Sequence, residues 1–88
     1  MLSDSNGRNP RQGGRMVGER IAAARTARGL TVEDVAEATK LRVLIIEAIE
    51  DDDYSVSGGE AYLIGHLRMI ADVVGLDSDD LIDEYYAS

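Results

Sequence analysis

One device occurs twice in this chain and restricts what it can fold into: Gly29-Leu30-Thr31 and Gly75-Leu76-Asp77. In each, glycine can adopt the left-handed conformation that ends a helix, and leucine can pack back on the helix just completed. Thr or Asp then offers a side-chain oxygen to cap the next helix. Joints this tight make compact corners and exclude a long coiled coil. With 88 residues the chain holds one domain at most. A domain of this size buries only about 60–65% of its unfolded surface, so it needs well-formed helices, a metal, disulfides or a partner. Cysteine is absent, which removes disulfides and thiolate metal sites. That absence fits a reducing compartment but does not establish one.

Around the two joints the apolar spacing is helical. Residues 1–14 are rich in Gly, Asn, Ser and Arg without apolar periodicity and read as a disordered basic tail, leaving residues 15–88 as the domain. Val17, Ile21 and Ala24 predict a first helix over 15–28, stopped by Gly29. Thr31 opens a capping box with Asp34, and Val32, Val35 and Ala36 give a second helix over 32–38. Leu41, Ile45, Ile46 and Ile49 predict a third over 42–51, which should stop at Asp51, Asp52 and Asp53 because a helix C-terminus disfavours negative charge. Tyr54 is expected to fold back onto the core. Ser57-Gly58-Gly59-Glu60 reads as a flexible loop ending in a second capping box. A fourth helix carries Tyr62, Leu63, Leu67, Ile70, Ala71 and Val74 up to Gly75; Asp77 caps a fifth, with Leu81, Ile82 and Tyr85 inward. The expected fold class is all-α, a compact five-helix domain.

Charge is unevenly distributed. Residues 1–30 carry six Arg against Asp4 and Glu19, a net +4, whereas residues 31–88 carry Lys40, Arg42 and Arg68 against fifteen acids, a net −12. Any role on nucleic acid must overcome that negative field, since phosphate contacts supply most non-specific affinity. The first residues lack the apolar stretch of a secretory signal. The longest strongly apolar run, Val43 to Ile46, falls far short of the roughly 20 residues that cross a bilayer. As written, the chain reads as soluble.

Leu30, Thr31, Glu33, Val35, Ala36, Leu41, Ile46, Ile49 and Glu50 together resemble the helix-turn-helix of lambda-repressor-like (XRE) domains. In that arrangement a small residue, here Ala36, permits close approach of two helices, and Val35, Leu41, Ile46 and Ile49 share a core. A longer match, over residues 15–86, is to RodZ-type cytoplasmic domains. It is carried by Gly18-Glu19-Arg20-Ile21, Ala24-Arg25, Arg28-Gly29-Leu30-Thr31, Thr39-Lys40-Leu41-Arg42-Val43, Glu47-Ala48-Ile49-Glu50, Tyr62, Gly65, Leu67-Arg68 and Gly75-Leu76-Asp77. The resemblance implies the cytoplasmic adaptor domain of a single-pass membrane protein, held at the inner face of the cell membrane by a span outside these 88 residues. The role it implies is to link cell-shape or division machinery to the envelope, and the partner it implies is a cytosolic protein of the actin-like or division class. His66 and Ile70 stand where that family usually places aromatics on the partner-contacting helix.

By family position and expected exposure, the partner-binding candidates are Arg42, Leu44, Tyr62, His66 and Arg68. Leu44 and Val43 either form an exposed apolar patch or pack beneath the fourth helix or the tail. Tyr62 either lies on an interaction surface or is half buried with a wet hydroxyl. The alternative function is an XRE-type transcription regulator placing Lys40, Arg42, the basic first helix and the tail on DNA. Against it, the third-helix positions outside the core are Arg42, Val43, Leu44, Glu47 and Ala48, where a reader normally presents Gln, Ser, Asn and Arg. Self-association through the apolar patch is a third possibility.

No metal, cofactor or catalytic site is expected. His66 is the single histidine, and no H-E-x-x-H spacing accompanies it. A calcium loop started at Asp51 would put Val56 where glycine is needed and Tyr62 where the bidentate Glu belongs. Asp77, Asp79 and Asp80 are explained as helix-start residues. A domain this small has little room for a cleft holding a nucleophile and its base.

Overall fold

The computed structural model describes residues 16–87, and within them the chain forms five α-helices and one 3-10 turn. These are α1 (Met16–Ala27), α2 (Val32–Thr39), α3 (Val43–Glu50), the 3-10 turn (Ser55–Ser57), α4 (Glu60–Val74) and α5 (Ser78–Ala87). The all-α, five-helix expectation holds, with helix ends within one or two residues of the predicted ones. The tail at 1–14, and Arg15 at the expected start of the first helix, lie outside the described residues.

Both repeated joints form as their sequence predicts. Gly29 and Gly75 are left-handed, at φ 71 and 85°. The N–H of Leu30 donates to Arg25 and that of Leu76 to Ala71, each closing the last helical turn. Leu30 and Leu76 then pack against the core. Thr31 accepts the Asp34 N–H at 3.0 Å while Asp34 accepts the Thr31 N–H at 2.9 Å, completing the capping box. Asp77 accepts the Asp80 N–H at 3.0 Å, capping α5.

α4 is the central element and packs on α1, α2 and α5, while α3 rests on α1, α2 and the 3-10 turn. Val17 and Ile21 of α1, Val35 of α2, Ile46 and Ile49 of α3, Leu63, Leu67 and Ile70 of α4 and Leu81 of α5 are almost wholly inaccessible to solvent. The turn between α2 and α3 is built by Thr39. Its buried hydroxyl donates to the Val35 carbonyl at 2.8 Å and accepts the Leu41 N–H at 3.3 Å. Lys40 follows in the left-handed region, at φ 64°.

Three local readings are corrected. The segment before α4 is a 3-10 turn in which Ser57 is buried and its hydroxyl has no partner. The N-cap position of α4 is Gly59, at φ 119° and with no side-chain cap, so the second capping box does not form. The turn draws Ser57 inward two residues too early to serve the helix. Ala48, counted among the outward positions of the third helix, is buried, because α3 is held between α1 and α2 rather than lying on one of them. Tyr62 shares α4 with the core residues but is 67% exposed.

Candidate protein-interaction surface

α3 is short and apolar, and two sides of it are consumed by the core. The remaining side carries Leu44, Glu47 and Asp51, all exposed, at spacings of three and four that place them on one helical face. Leu44 is 58% exposed, although its type is normally buried. Val43 is half-buried beside it. Arg42 is the exposed N-cap residue of α3, with extended backbone and no side-chain cap bond. Lys40 is exposed two residues earlier. Along the chain, α3 is thus preceded by exposed cations in the turn and followed by exposed acids, with Leu44 between them.

The other candidates lie on α4. Tyr62 and His66 are one turn apart on a common face, exposed and half-buried respectively, and Met69, 40% exposed, continues that stripe. Arg68 projects from a different side of α4 and donates to Asp79 at 3.1 Å in an exposed ion pair. An exposed pair of this kind contributes little to stability. α3 and α4 do not pack extensively on each other, so the structure does not gather the five candidates into one site. It offers the outward face of α3 and the Tyr62–His66 face of α4, with Arg68 apart from both.

The arginines of α1 are largely committed internally. Arg20 donates to Glu84 and Asp80 of α5. Arg25 forms a two-pronged ion pair with Glu50, at 2.7 and 3.0 Å, and donates a third bond to the Leu30 carbonyl at 3.0 Å. The hydrogen bonds to Glu84 and Glu50 raise the two guanidinium pKa values above an already high range. On the helix-turn-helix itself, Glu33, Asp34 and Glu37 of α2 and Glu47 and Asp51 at α3 are exposed acids beside the two cations Lys40 and Arg42. That sign is unfavourable for phosphate.

Sequence reading missed the arrangement that seats α3. The carboxylate of Asp52 reaches the N-terminal turn of α1, and the Tyr54 hydroxyl donates to the same oxygen at 2.6 Å. Tyr54 stacks edge-on against Tyr85 of α5, with ring centres 5.3 Å apart. Burial, and secondarily the bond to Asp52, pushes the Tyr54 phenol well above its ordinary pKa. The acidic run in the sequence signalled only a helix stop. Val56 and Tyr86 are further exposed apolar side chains that no periodicity singled out.

An open concavity of about 290 Å³ is lined by Arg68, Met69, Asp72, Leu76 and Ser78. Among the described residues no group of three or more His, Asp or Glu side chains could hold a metal ion, and no helix is long and apolar enough to cross a membrane.

Comparison with known proteins agrees with the fold. The uncharacterized membrane protein YmfM of Bacillus subtilis (strain 168) is 30% identical over 56 residues, covering 64% of this chain and 19% of that protein. The chain thus matches a small part of its relative's length. No solved structure matches it. The model of the helix-turn-helix domain family matches residues 20–81, which include the α2–α3 pair and the helices that support it, and the chain belongs to that family.

Proposed function

We propose that this domain docks a protein rather than DNA, as the cytoplasmic adaptor part of a longer, membrane-tethered protein of RodZ type. The observation that carries the reading is the outward face of α3, where Leu44 is 58% exposed and is followed by Glu47 and Asp51. A recognition helix that reads base edges presents polar and basic side chains there. An exposed leucine with acids beside it suits a protein surface instead. The likeness to a relative described as a membrane protein supports the tether. The partner class, an actin-like or division protein, rests on the resemblance of residues 15–86 to RodZ-type domains. In this reading Arg42 and Leu44 on α3, and Tyr62, His66 and Arg68 on α4, contact the partner.

Fluorescence anisotropy of labelled duplex DNA, random and genomic, at low and moderate salt tests it. No saturable binding at low salt is the expected result. Saturable, salt-sensitive and sequence-selective binding would overturn the reading and make this an XRE-type regulator using Lys40 and Arg42.

A further inference from the structure

The docking surface of α3 has a sign, and the sign selects its occupant. The helix carries Arg42 at its N-cap, and its outward face presents Leu44 in the first turn and Glu47 and Asp51 toward the C-terminus. The helix dipole adds partial positive charge at the first end and partial negative charge at the second. Residues 16–87, this face included, carry six Lys or Arg against sixteen acids, a net −10. Within that total, Arg20 and Arg25 offset Glu84, Asp80 and Glu50, with which they are paired.

Three occupants fail on charge. A nucleic acid brings phosphates against Glu47 and Asp51. An anionic lipid surface brings the same sign over a wider area. A second copy of this chain carries the same net charge of −8, so the two bring like charge to like. What remains is a protein segment of opposite charge. We infer that the α3 face takes a basic segment of a partner protein, whose lysines or arginines meet Glu47 and Asp51 while an apolar side chain covers Leu44. Lysine suits this doubly, since its aliphatic stem lies on apolar surface while its ammonium reaches a carboxylate. Arg42 sets the direction: the basic part of the segment lies over the C-terminal half of α3. This inference rests on the protein-docking reading and adds the partner's chemistry to it.

The test is a titration of the 15N-labelled full chain with a synthetic amphipathic Leu/Lys peptide and with its Leu/Glu counterpart, followed by amide chemical shifts. Shifts concentrated on residues 42–51, absent with the Leu/Glu peptide, are expected. Leu44→Ala should weaken binding about tenfold, roughly the effect of removing one anchoring side chain. The paired change Glu47→Lys and Asp51→Lys should abolish it, at unchanged helicity. Shifts spread over the acids of α4 and α5, or a Leu44→Ala chain that binds as well as the original, would overturn the inference. So would a tenfold or larger gain when Arg8, Arg11 and Arg15 are changed to Ala, because the chain's own tail would then be the occupant. Duplex DNA in a parallel titration separates the two levels. If DNA shifts residues 40–47, the protein-docking reading fails as well; if the peptide scatters and DNA does not bind, only the choice of partner fails.

Discussion

The carboxylate of Asp52 accepts the backbone N–H of Gly18 at 3.0 Å, so α1 takes its N-terminal cap from the residues that follow α3. The two segments can meet because Gly18 has no side chain. A Cβ there would lie 2.7 Å from the carbonyl carbon of Glu50 and 2.9 Å from the carbonyl oxygen of Ile49. Both are backbone atoms that cannot rotate aside. Gly18→Ala should therefore destabilise the domain by about 2–3 kcal/mol, an overpacking cost. Asp52→Ala should lose about 1 kcal/mol, the usual worth of a cap. Asp52→Asn should lose less, because it keeps an acceptor and tolerates the φ of 59° found at this position. Urea unfolding of the three variants checks the order; Gly18→Ala as stable as the parent would show that the close approach is not required.

A partly buried ion pair ties α1 to α3 at a second point. Arg25 and Glu50 are 18% and 11% exposed at their side chains and meet through two hydrogen bonds. Removing one partner leaves the other charged and poorly solvated. Arg25→Ala should cost about 2 kcal/mol, less than breaking a fully buried pair, because this one is partly open to water. Arg25→Lys should recover little of it, since an ammonium cannot reproduce the planar fork or hold Leu30 at the same time. A double-mutant cycle with Glu50→Gln measures the coupling, and additive effects would contradict the pair.

Alkaline pH should unfold this domain through its tyrosines. Burial raises the Tyr54 pKa, and a hydrogen bond to Glu60 raises that of Tyr86, both from an ordinary value near 10. The folded state therefore prefers the neutral phenols. Their contribution is fully present below the unfolded value and is lost as pH rises through the folded ones, so stability should be level up to about pH 10 and fall above it. Tyr54→Phe should remove most of that fall while costing about 1 kcal/mol at neutral pH for the bond to Asp52. Denaturant melts from pH 8 to 12 decide the matter, and an unchanged alkaline slope in Tyr54→Phe would count against it.

Lys40 holds a left-handed backbone at the end of α2. Glycine meets no Cβ penalty there, so Lys40→Gly should raise stability by about 0.5–1 kcal/mol. A thermal melt shows the sign directly, and a lower midpoint would mean that the lysine side chain contributes to the turn.

The local signals in this sequence were readable because they act over one or two helical turns. Gly29 and Gly75 stop helices, Thr31 and Asp77 cap them, and the apolar spacing of Val17 and Ile21 or of Leu63, Leu67 and Ile70 marks the core faces. What pins the helices together was not readable, because it links distant positions. Asp52 serves an amide 34 positions away, and Arg20 meets Glu84 across 64. Nothing in the spacing of either residue names its partner. The candidate surface was legible by halves: Leu44 stood out as an apolar residue off the core spacing, but whether it was covered depended on where α4 came to lie. The Ser57 cap failed because the chain closed a 3-10 turn first.

The short third helix divides its labour cleanly. Ile46, Ala48 and Ile49 hold it in place, while Leu44, Glu47 and Asp51 hold nothing. Exposed positions of this kind change stability by less than about 0.5 kcal/mol on substitution. Those three positions are accordingly a replaceable panel on a fixed frame: a new recognition specificity could be written there, by selection or by design, without redrawing the bundle behind it.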